Sequence, residues 1–157
     1  MFYGKHPLTF IAVGNRFRHD DGVGWEIVRR LQSKRIPNAE IIEASGEGAA
    51  LMEFLNGRQY VFIFDAVCSG ARTGTIFRFE AHSQSLPSKF FNYSTHAFSV
   101  AEAIEMARAM NLLPEYLMVY GIEGKNFEAG AGLSQEVEQA VEKIVSKVLV
   151  ELKVIGV

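Results

Sequence analysis

Residues 8–24 read LTFIAVGNRFRHDDGVG, and the fold turns on how they are parsed. Leu8 to Val13 is an apolar run, too short for a helix and rich enough in Phe, Ile and Val for a buried strand. Gly14 and Asn15 break that strand, since both residue types tolerate positive φ. A polar loop follows and ends in two adjacent carboxylates, Asp20 and Asp21. Beyond them Val23, Ile27, Val28 and Leu31 fall on one face at helical spacing. The stretch is therefore strand, loop and helix, with acids at the turn. In an open α/β sheet the carboxyl end of a strand is where ligands bind. A phosphate loop would need several glycines, often with a lysine; two aspartates at a helix entrance suit a cation instead. Helix capping by Asp explains one of the two acids and leaves the other to account for.

The rest of the chain repeats the pattern. Ile36-Pro37-Asn38 ends the first helix near Lys34 or Arg35. Ala39 to Ala44 reads as a strand, 45–48 as a turn and Ala49 to Leu55 as a short helix closed by Asn56-Gly57. Tyr60 to Ala66 is the strongest strand, with one acid, Asp65, near its far end. Gly74 to Glu80 alternates as a half-buried strand near an edge, where it can run antiparallel. Ala81 to Ser94 is a long connection carrying Phe90, Phe91 and Tyr93. A helix is expected from Phe98 to Met110 and a buried strand from Tyr116 to Ile122. After a glycine-rich loop, Ser134 is expected to cap the last and longest helix, whose apolar face is Val137, Val141, Ile144, Val145, Val148 and Leu152. Strands alternating with amphipathic helices predict a three-layer α/β/α sandwich on a mostly parallel, five-stranded sheet that can be mixed at one edge.

Size and charge narrow the function. With 157 residues and 48% hydrophobic residues, the chain is expected to be a single domain, 1–157, with a full core. A net charge of -2 with no basic run argues against nucleic acid or an acidic membrane surface. MFYGKHP is too short and polar for a signal peptide, and no apolar run approaches a membrane span. One cysteine, Cys68, excludes an internal disulfide and any Cys-rich zinc site. A reducing, cytoplasmic setting fits.

On this scaffold Asp20, Asp21, Asp65 and His96 can all meet at the carboxyl edge of the sheet. Two carboxylates and an imidazole make an O,O,N set suited to zinc, nickel or iron, with positions left open for water or substrate. His19, next to the acids, is an alternative ligand. Their irregular spacing matches no fixed metal motif. Gly-x-Ser-x-Gly is absent. Cys68 is expected to be buried and to behave as a small apolar residue rather than as a thiol nucleophile paired with His96. An aspartic dyad of Asp21 and Asp65 would need close approach and a shared proton.

At these residues the chain resembles the nickel–iron hydrogenase maturation endopeptidases. The resemblance rests on GNRFRHDDGVG (Gly14 to Gly24), FIFDAV (Phe62 to Val67), STHAF (Ser94 to Phe98), VYGIEG (Val119 to Gly124) and GAGLS (Gly130 to Ser134). It implies an α/β/α sandwich that cuts a C-terminal extension from a hydrogenase large-subunit precursor after nickel insertion. It also implies a metal-dependent site whose ligands, carried onto this chain, are Asp21, Asp65 and His96, acting on nickel held in the precursor or on zinc or another divalent metal in its place. It favours a monomer. Two other readings stand beside it: a module that binds metal-loaded precursor without cutting it, and a nucleotide-binding α/β domain, which lacks a glycine fingerprint. Glu47, an added acid in EASGEG (Glu43 to Gly48), is a candidate for tuning precursor choice, and Phe90, Phe91 and Tyr93 for lining a groove that takes the precursor tail.

Overall fold

The computed structural model describes residues 8–45, 48–87 and 99–157. Five strands, β1 (Leu8–Val13), β2 (Ala39–Ala44), β3 (Tyr60–Val67), β4 (Ile76–Glu80) and β5 (Tyr116–Glu123), alternate with α1 (Val23–Ser33), α2 (Gly48–Leu55), α3 (Val100–Ala109) and α4 (Gln135–Ile155). They form one sheet in the order β2-β1-β3-β5-β4. β1 pairs in parallel with β2 and β3, and β3 with β5, while β4 runs antiparallel to β5. The antiparallel edge arises because β3 reaches β4 through a turn too short for a parallel crossover, which needs a dozen residues or more.

Strand periodicity sorts the core into two faces. Phe10 and Ala12 of β1, Phe62 and Phe64 of β3, and Met118 and Tyr120 of β5 face α1 and α4. Ile11, Val13, Ile63, Val67 and Val119 face α2 and α3. The aromatic members interlock: Phe10 and Phe62 lie 5.8 Å apart between ring centroids, and Phe64 stacks on Tyr120 at the same spacing. The six apolar residues read on the last helix are all buried, together with Ala140. At roughly 1.5 kcal/mol or more for each large side chain, this face accounts for a helix that would be marginal alone.

β1 sends the chain out to β2, and the next crossover returns it to β3 on the other side of β1. The order therefore reverses between β1 and β3, and the crevice beyond their carboxyl ends is a topological switch point. His96, Phe90, Phe91, Tyr93 and Glu47 lie outside the described residues.

Candidate active site

The loop after β1 doubles back on itself. Gly14 has φ +121°, and a Cβ there would sit 2.3 Å from the Asp21 carbonyl oxygen and 3.1 Å from its Oδ1. Only glycine lets the strand tip come this close. The Asn15 backbone N–H donates to Asp21 Oδ2 at 2.8 Å, and Asn15 Oδ1 in turn accepts the Phe17 N–H at 2.9 Å. Asp21 thus hangs over the end of β1, 7% exposed. It lies in a 3-10 turn, His19–Gly22, and α1 starts from Gly22 with no side-chain cap. Neither aspartate is a helix cap.

Asp65 sits third from the end of β3 and is 4% exposed. Alternation puts it on the same face as Ile63 and Val67, toward α2 and α3. Both acids line one cavity of about 560 Å³. Glu43 and Ser45 from the end of β2, Ser99 and Val100 from the start of α3, and Arg16 and Trp25 also reach it. Two buried carboxylates give this part of the cavity an acidic lining, which suits a positively charged group. Oxygen donors suit a divalent metal. Among the described residues no group of three or more His, Cys, Asp or Glu is placed to hold a metal; two carboxylates converge, and a complete set needs a further donor.

Asp20 does something else. It is fully buried, and its carboxylate accepts four bonds: from the N–H groups of Lys125 (2.9 Å), Asn126 (3.1 Å) and Ser134 (2.7 Å), and from the Ser134 hydroxyl (2.7 Å). Burial pushes this carboxyl up, but the donors around it outweigh burial and hold it below the ordinary carboxylate range. Asp20 ties the turn to the glycine-rich loop after β5. The backbone adds to the tie: His19 N–H donates to Gly130 O and Gly130 N–H to Phe17 O, at 2.9 and 2.8 Å. Ser134, expected to cap α4, makes no side-chain cap bond there, because its hydroxyl is turned to Asp20.

His19, the alternative ligand, belongs to the same loop packing. Its Nδ1 lies 3.1 Å from Gly132 O, and its ring lines a neighbouring hollow rather than the one holding Asp21 and Asp65. His82 pairs with the Leu117 backbone and stacks on Tyr116. The expectation of a buried Cys68 is wrong. The thiol is exposed, because β3 ends at Val67 and Cys68 opens the turn beyond it. It does not line the cavity. The reading of the sequence missed Glu43, Ser45 and Trp25. The first two were signalled by the end of the parallel strand next to β1. Trp25 was not, because its place on the pocket wall depends on how α1 is set against the sheet.

The family model described as hydrogenase maturation protease matches residues 25–151. The chain belongs to the hydrogenase maturation protease family. A Methanocaldococcus jannaschii protein provisionally assigned as a hydrogenase maturation protease is 28% identical over 95% of this chain and 98% of its own length. The hydrogenase expression/formation protein HoxM of Cupriavidus necator is 25% identical over 89% of this chain and 71% of its own length. Among solved structures, the hydrogenase maturating endopeptidase HybD from E. coli matches with a TM-score of 0.78 and 25% identity, over 95% of this chain and 94% of that one. Family membership makes the protein a hydrolase: an endopeptidase that processes the C-terminal end of a hydrogenase large-subunit precursor. It also sets aside the non-cleaving module and the nucleotide-binding domain.

Proposed function

We propose that Asp21, Asp65 and His96 form the working centre of this protease and that they engage nickel carried by the large-subunit precursor. The nickel is cargo of the substrate. Contact with it tests whether the precursor is loaded and sets the scissile peptide of the C-terminal extension in the crevice. The observation that carries this reading is the convergence of Asp21 and Asp65, far apart in the chain, on one cavity at the switch point of the sheet. For His96 the support is tethering. Ser99 lines that cavity, and the histidine precedes it by three residues, a reach of at most ~11 Å of extended chain.

Cleavage requires water to lose a proton as it attacks the scissile carbonyl. A carboxylate beside the metal, or the metal itself, supplies that activation. The whole chain, 1–157, acts as one domain and as a monomer. Its proposed setting is the cytoplasm, a reducing compartment in which a chain with one cysteine needs no disulfide. Among the described residues no helix is long and apolar enough to cross a membrane.

The test is a cleavage assay with purified nickel-loaded precursor, read as mass loss at its C-terminus. Asp21→Ala, Asp65→Ala and His96→Ala should each abolish processing while leaving the melting temperature within the wild-type range or close to it. Normal processing by any of the three would remove that residue from the centre.

A further inference from the structure

Arg16 stands on the wall between two hollows. It lines the cavity that holds Asp21 and Asp65, and it lines a second one, of about 460 Å³, closed on its far side by Ala131, Gly132 and Leu133. Its guanidinium carbon lies 4.8 Å from the Trp25 ring centroid and 5.1 Å from that of Phe17. Trp25 is itself pinned, its indole N–H donating to Glu43 Oε1 at 2.5 Å. A cation set over two rings keeps its place without a counter-charge, and its fork of donors stays available.

Arg29, Arg30, Arg58, Arg78 and Arg108 each hold a carboxylate of this chain. Of the two arginines that line the cavity of Asp21 and Asp65, Arg18 donates its Nε–H to the Phe127 carbonyl oxygen at 3.1 Å, whereas the guanidinium of Arg16 lies over the two rings and holds no carboxylate among the described residues. Phe17 beside it is 64% exposed, a large ring left uncovered at the mouth of the site. The lining carries both signs, with Asp21 and Asp65 buried and Arg16 exposed. A ligand that brings positive charge to Asp21 and Asp65 and negative charge a short distance away matches both.

We propose that Arg16 is a specificity residue that grips a carboxylate on the C-terminal extension of the precursor, with apolar groups of the extension lying on Phe17 and Trp25. The carboxylate comes from an acidic side chain of the extension or from its chain terminus. The inference rests on the function proposed above, since it supplies the handle by which that site holds its substrate.

The experiment compares wild type, Arg16→Gln and Arg16→Lys on nickel-loaded precursor. Steady-state cleavage gives KM and kcat. The only tryptophan of the chain is Trp25, so its fluorescence reports binding without any need for cleavage. Loss of one charge-assisted pair should raise KM and the binding midpoint of Arg16→Gln by ~10- to 100-fold with kcat retained. Arg16→Lys should recover part of the loss, and melting curves should not move. Two precursor variants identify the carboxylate. In one, the acidic side chains of the extension become amides; in the other, the extension is lengthened by a pair of glycines that displace its terminus. The variant that weakens wild type, and leaves Arg16→Gln where it was, names the source.

An unchanged KM and binding midpoint for Arg16→Gln overturn the proposal, as does a wild-type enzyme indifferent to both precursor variants. Should wild type bind precursor and not cut it, the protease centre proposed above is what fails. The Trp25 signal then still decides on Arg16: a midpoint weakened in Arg16→Gln supports the grip, and an equal one refutes it.

Discussion

Asp20→Asn isolates what the buried clamp contributes. The side chains are nearly the same size, so packing is kept and acceptor capacity is changed. The aspartate accepts three donors on Oδ2 and one on Oδ1. An asparagine with its oxygen turned to the three-donor side must present its NH₂ to the Ser134 N–H, leaving one buried donor stranded. The three remaining bonds lose their charge assistance. A stranded buried donor costs ~1–3 kcal/mol, and ionic hydrogen bonds exceed neutral ones by about a further 1 kcal/mol. A net loss near 3 kcal/mol follows, which for a domain of this size lowers Tm by roughly 6–12 °C. The assay is urea unfolding of both proteins from about pH 7 down to about pH 3. The folded Asp20 carboxyl titrates below its ordinary value. Its stabilisation is therefore fully present above the unfolded carboxylate pKa of ~3.9 and is lost as pH falls through the lower, folded value. The gap between wild type and variant should close over that same window. An unfolding free energy within ~0.5 kcal/mol of wild type at neutral pH, or a gap that stays constant down to low pH, would refute the reasoning.

Gly24→Ala should destabilise by about 3 kcal/mol, because its Cβ would stand 2.4 Å from the Phe64 carbonyl oxygen and 3.2 Å from the Val13 nitrogen. The urea midpoint should drop by ~1–3 M, and processing should fall with it, since α1 is pushed off β1 and β3, which shifts the turn that holds Asp21 relative to the strand that carries Asp65. An unchanged midpoint would show that α1 does not sit this close. Cys68→Ser should process precursor at the wild-type rate, because the thiol is exposed and outside the cavity. A loss of more than ~10-fold would bring back the thiol chemistry set aside here.

Most of the fold is legible in the sequence, because the central strands β1, β3 and β5 are nearly saturated with apolar residues, as strands buried on both faces must be, while the edge strands β2 and β4 mix apolar with charged residues. β1, β2 and the start of β3 fall at the predicted residues, and the apolar stripe of α4 is buried as the 3.6-residue period requires. What was not legible depends on contacts across the chain. Ser134 looks like a helix cap from its neighbours alone, yet it faces Asp20, 114 positions away. Cys68 looked buried because it follows the most apolar strand, but the strand stops one residue earlier. The wall that Trp25 adds to the site depends on the setting of α1 against β1 and β3, and no local pattern encodes that.

The pair Asp20-Asp21 shows why the ambiguity was physical. Adjacent acids in a strand would point to opposite faces, and in a 3-10 turn they point ~120° apart about the axis. The turn His19–Gly22 uses that angle to split two like charges that would otherwise repel. One carboxylate is spent inward on the N–H groups of the loop after β5, the other is left facing the cavity. The fixed one holds the turn, and the turn, locked against Gly14 on its other side, holds Asp21 over the tip of β1. Rigid placement of that kind is what the proposed reading of nickel needs, because a carboxylate that can swing accepts any cation, whereas one clamped from behind accepts only a centre presented at the right place. With Asp21 as the proposed ligand, clamp and ligand form a single device, and the order of the two acids fixes which residue plays which part.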